Sequence, residues 1–103
     1  MSVLERPKSV PFRPNYIRLL PPGEVIAEKM FELGIDEAEL ARRCELALET
    51  IQKLLKAEIP LSQEIADKIE EVTWMNAEGM MRLETRYQND LEFIRQHPDY
   101  PVV

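Results

Sequence analysis

Residues 44–62, CELALETIQKLLKAEIPLS, pose the chain's chemical question. Gln52, Lys53 and Lys56 fall on one side of a helical repeat, opposite Ile51, Leu54 and Leu55. An amide and two ammonium groups suit recognition by hydrogen bonds and ion pairing. Glu45, Glu49 and Glu58 stand among them, so the same stretch carries both signs of charge. A plain solvated helix face has the same composition, with Glu49 and Lys53 an i,i+4 pair worth about 0.3 kcal/mol.

Bond-making chemistry has little to work with. Cys44 lies on an apolar face, which suits a core residue better than a nucleophile. His97 is the only histidine, stands before Pro98, and has no Cys or His at ligand spacing, so we expect no metal and no cofactor. The carboxylates are spread over polar faces and not paired in an apolar pocket, which argues against acid/base catalysis. Gly23, Gly34 and Gly79 cannot make a glycine-rich phosphate loop. No enzymatic activity is expected.

The chain has 103 residues, enough for one small domain and no second core. Its net charge is −6, which does not announce nucleic acid as a basic protein would. The charge is uneven. Residues 1–20 hold Arg6, Lys8, Arg13 and Arg18 against Glu5, a net of +3, and the other residues carry −9. A single cysteine fits a reducing compartment, no apolar run reaches the ~20 residues of a membrane span, and MSVLERPKSVPFRPNY lacks an apolar signal core. These point to a cytoplasmic protein with no membrane partner.

Five prolines, at 7, 11, 14, 21 and 22, break the first residues into pieces too short for a helix, so 1–21 reads as a Pro-rich basic arm. It is either a mobile tail or an extended segment packed through Phe12, Tyr16, Ile17, Leu19 and Leu20. A domain then spans 22–97, with a tail at 98–103. Val25, Ile26, Met30 and Phe31 mark a first helix that Gly34 stops. Asp36 and Glu39 form an acidic capping box for a second helix, whose apolar face is Ala38, Leu40, Ala41 and Cys44. Ile51, Leu54 and Leu55 mark a third, which Pro60 ends. Ser62 caps a fourth along Ile65, Ala66, Ile69 and Val72. Asn76 caps a long last helix, 76–97, striped by Met80, Leu83, Tyr87, Leu91 and Ile94. Trp74, Met75, Met80 and Met81 read as an apolar cluster for core or dimer packing.

Two short helices joined by a tight turn, about 36–56, within roughly five helices are helix-turn-helix architecture. The segment LARRCELALETIQKLLKAEIPLSQEIADKIEE resembles the lambda-repressor-like helix-turn-helix domains of the XRE family, and more narrowly antitoxins of the HigA type. PPGEVIAEKMFELGI resembles that branch's opening helix, IPLSQEIADKI its fourth helix, and MNAEGMMRLETRYQNDL its last. The resemblance covers about residues 21–91. It implies an all-α lambda-repressor-like bundle, a homodimer, an operator in the protein's own promoter as double-stranded DNA partner, and a toxin to neutralise.

The resemblance also implies which residues meet DNA: Ala47, Leu48, Glu49, Gln52 and Lys53 at the start of the recognition helix, with Lys56 and Arg43 on phosphates. Gln52 can bond adenine bidentately, Glu49 can accept from cytosine N4, and Leu48 can touch a thymine methyl. The family's Gly-Val-Ser before this helix is here Glu45-Leu46-Ala47, and its Asn-Gly after it is Lys56-Ala57. A lost glycine at positive φ costs up to about 1 kcal/mol, and the lost serine cap about as much again. Residues 36–58 hold four bases and six acids, so phosphate attraction is weak and salt-sensitive. Arg6, Lys8 and Arg13 could add contacts from the arm, or serve only to keep it soluble. The opposed reading is a helix-turn-helix module that has lost DNA and binds a basic protein through its acidic surface.

Overall fold

The computed structural model describes residues 17–102. Phe12 and Tyr16, named above as arm anchors, and the arm cations Arg6, Lys8 and Arg13 lie outside the described residues. The fold is all-α, with five helices: α1 Pro22–Leu33, α2 Glu37–Cys44, α3 Leu48–Leu55, α4 Gln63–Thr73 and α5 Ala77–Gln96. Among the described residues no sheet forms. One isolated bridge pairs Ile17 with Val102, and Ile17 N–H donates to the Pro101 carbonyl at 2.8 Å.

Local signals set the helix ends. Pro22 sits in the first turn of α1, where its missing N–H costs nothing, and Gly34 ends the helix at φ 69°. Asp36, Ser62 and Asn76 each accept an N–H of the first turn of α2, α4 and α5. Only half of the expected capping box forms. Asp36 Oδ1 accepts from Glu39 N–H at 2.8 Å, but the Glu39 carboxylate turns instead to Arg42 and Arg43.

Ile26, Leu40, Ile51 and Ile69, one from each of α1 to α4, are fully enclosed at the centre of the core. Met30, Ala41, Cys44, Leu54, Leu61, Ala66, Ala77 and Met80 complete it. Several apolar residues named above stand outside the core, among them Phe31, Ala38, Leu91 and Trp74. Phe31 is 85% exposed and Trp74 is 89% exposed. Five residues on from buried Ile26, Phe31 is turned about 140° away on a helix of 3.6 residues per turn. Trp74 caps α4 at φ 67°, and that left-handed residue points its ring out while Met75 packs inward.

Two close contacts tie the bundle together. A Cβ on Gly23 would lie 2.5 Å from the Leu54 carbonyl oxygen and 2.9 Å from the Leu55 backbone. The first turn of α1 therefore lies directly on the last turn of α3, at a distance that only glycine permits. The second is Glu84 on α5, 7% exposed, whose carboxylate accepts from Leu61 N–H at 3.1 Å and from the Gln88 amide at 2.6 Å. It satisfies a buried donor in the loop between α3 and α4, which would otherwise be orphaned.

Gly23→Ala should lower the unfolding free energy by about 1–3 kcal/mol in urea titrations, through overpacking. A change within about 0.5 kcal/mol, the range of neutral surface substitutions, would contradict the close approach. Glu84→Ala should cost about 1–3 kcal/mol by stranding the Leu61 amide, and Glu84→Gln, which keeps an acceptor, should cost visibly less. Equal losses for the two would show that the hydrogen bond is immaterial.

Candidate nucleic-acid interface

The two helices of the motif are held by their apolar faces. Leu40, Ala41 and Cys44 of α2 meet Ile51 and Leu54 of α3 in the core. Between them, residues 45–47 make a tight turn. Glu45 takes φ 57° and ψ 43°, and its N–H closes on the Arg42 carbonyl at 3.2 Å. Leu46 N–H reaches the Ala41 carbonyl at 2.9 Å while its side chain packs on the core. After α3, Ala57 takes φ 60°. Both positions where the resembled family carries glycine are thus left-handed, occupied here by residues with a Cβ. Ala47 caps α3 with no side-chain hydrogen bond, as its methyl requires.

With Ile51 and Leu54 facing the core, Glu49, Lys53 and Lys56 stand on the outward face of α3. Glu49 and Lys53 pair at 3.7 Å. Lys56 makes no ion pair with another described residue. Arg43 lies one helix away, in the last turn of α2. Its Nε and the Arg42 Nη2 each lie 2.5 Å from one Glu39 oxygen. Hydrogen bonds from Arg42, then Arg43, hold the Glu39 carboxyl below its ordinary range. Three of the motif's four cations are therefore engaged with acids on their own helices. Such exposed pairs are worth about 0–1 kcal/mol, so a phosphate can displace the carboxylate.

Gln52 and Leu48 lie on the flank of α3 that turns toward the start of α2. With Asp36, Glu37 and Ala38 they line a shallow open groove. Gln52 Nε2 donates to Glu37 Oε1 at 3.3 Å. Leu48 is 43% exposed, and Ala47 is exposed. The structure therefore brings Glu49, Lys53 and Lys56 together, sets Gln52 and Leu48 beside them, and leaves Arg43 on the neighbouring helix. Glu37 was not among the residues singled out from sequence, since its tie to Gln52 spans 15 residues and leaves no periodic mark. Cys44 is buried, donates weakly to the Lys68 carbonyl at 3.7 Å, and burial pushes its thiol up, so it is a packing residue.

Among the described residues, no group of three or more His, Cys, Asp and Glu could hold a metal ion. No helix there is long and apolar enough to cross a membrane.

Glu45→Gly and Ala57→Gly should each stabilise the protein by about 0.5–1 kcal/mol, since relief of the crowded left-handed Cβ exceeds the added unfolded-chain entropy. Loss of stability in both variants would show that the Cβ atoms pack favourably where they stand.

No protein-family model and no curated protein matches the chain. Solved structures do match. A Nostoc punctiforme protein described as an antidote of a plasmid maintenance system superposes with a TM-score of 0.75 at 21% identity, over 82% of this chain and 92% of that one. The Pseudomonas aeruginosa antitoxin HigA, solved with the higBA promoter, gives 0.73 at 22% identity, over 79% and 89%. The antitoxin GraA gives 0.69 at 28% identity, over 81% and 89%. The chain has the helix-turn-helix fold of the HigA-type antitoxins.

Proposed function

We propose that the protein is a DNA-binding transcriptional regulator, an antitoxin of the HigA type that controls its own operon and neutralises a partner toxin. It acts in the cytoplasm as a homodimer, without enzymatic activity. The observation that carries this reading is the outward face of α3. It displays Glu49, Lys53 and Lys56, with Gln52 and Leu48 on the flank, in a fold shared with an antitoxin solved on its promoter.

The dimensions suit the role. An eight-residue helix is about 12 Å long, and B-DNA's major groove is about 12 Å wide. Glu49 reads a cytosine amine and Gln52 a base edge, while Lys53, Lys56 and Arg43 bind phosphates. Ala47 and Leu48 bring the helix start against the groove wall and a thymine methyl. In a homodimer the two copies of α3 meet half-sites about 34 Å apart. The motif's net −2 leaves little long-range attraction, so affinity rests on contacts made after docking and falls quickly with salt. Residues 1–20 carry a net +3, the opposite sign to the motif.

The test is binding of the whole chain to a labelled duplex of its own upstream region, beside a scrambled duplex, over a salt series. We expect preference for the upstream duplex. Gln52→Ala should relax base preference, and Lys53→Ala should flatten the salt slope by about one unit. Absence of binding to either duplex at low salt would refute the DNA reading and favour an acidic protein-binding face.

A further inference from the structure

The hydrogen bond between Gln52 and Glu37 bridges the first turn of α2 and the middle of α3. Both side chains are half-buried, so water competes less for it than on the open face. Its direction is set by chemistry. An ionised carboxylate only accepts, so the amide must turn its nitrogen toward Glu37. The flipped amide would set two oxygens against each other. Oε1 and the second N–H of Gln52 are then left for a ligand in the groove between the two helices. One acceptor beside one donor complements adenine, which offers N6–H and N7 in the major groove. The same edge opposes guanine, because Oε1 would meet the O6 acceptor.

We infer that Glu37 is a positioning residue for base recognition, orienting the Gln52 amide so that α3 prefers adenine to guanine. The inference rests on the DNA-binding reading above. Glu37 has a second, opposite effect. Its charge, beside Asp36, repels phosphates whatever the base. The two effects separate in an experiment, because repulsion lowers affinity for every duplex alike and orientation changes only one base position.

The test measures binding of the whole chain to its upstream duplex and to a panel in which each base pair is replaced in turn. The position read by Gln52 is the one whose preference Gln52→Ala abolishes. There, Glu37→Ala should reduce the adenine-over-guanine preference about five- to tenfold, while tightening binding to all other duplexes. Glu37→Gln removes the charge, but its amide can donate as well as accept and so no longer fixes the Gln52 orientation, so it should tighten binding and keep less of the preference than the wild type. An unchanged preference in Glu37→Ala would overturn the inference and leave Glu37 a repelling charge only. A panel in which Gln52→Ala alters no single position would overturn it while leaving DNA binding intact. A wild-type protein with no preferred duplex would remove the regulator reading itself, and this inference with it.

Discussion

The contact on which the motif depends is the backbone approach of α1 to α3 at Gly23. An eight-residue helix does not persist alone in water, because nucleation costs more than so few hydrogen bonds return. The recognition helix is ordered by what it rests on. Its buried residues, Ile51 and Leu54, take one side, and its last turn lies on the glycine that opens α1. A side chain at position 23 would lift α1 from the Leu54 and Leu55 backbone, and with it the surface that fixes the angle of α3. The Pro-Gly-Glu opening is thus one unit. The proline starts the helix, the glycine admits α3, and Glu24 meets the positive end of the helix dipole.

Stability at the two turns around α3 is surrendered and then supplied elsewhere. Glu45 and Ala57 hold left-handed backbone with a Cβ, and Ala47 offers α3 no cap. The missing support comes from Leu46 and Ile59 against the core, and from the Glu84 carboxylate that anchors Leu61 beyond the second turn. The long α5 therefore braces the loop that follows α3 as well as packing on α4.

Charge on this surface is a matter of arrangement more than of sum. Most of the motif's cations face carboxylates of their own helix, in exposed pairs that a phosphate can exchange. Glu37 at the start of α2 is different, because its hydrogen-bond partner, Gln52, lies across the groove on α3. On an acidic surface of this kind long-range attraction of an anion contributes little, so close contacts carry any binding.

The five helices were legible in the residues because their signals are local. Pro22, Gly34, Asp36, Ser62, Pro60 and Asn76 act on the backbone within a turn of themselves, and the apolar repeats of α3 and α4, with Leu40, Ala41 and Cys44 of α2, name the faces that pack inward; Ala38, read with them, is exposed. Apolar identity misled at Phe31 and Trp74, where periodicity cannot tell the edge of a buried stripe from its centre, nor foresee a left-handed cap that turns a ring outward. The polar residues of α3 were legible as one face. Their division into outward Glu49, Lys53 and Lys56 and flanking Gln52 was not, since it depends on how α2 lies across α3. Glu37, Glu84 and Gly23 were silent in that respect for the same reason. A carboxylate or a missing Cβ has no periodic signature, and its meaning is set by an atom many residues away that only the folded chain brings within reach.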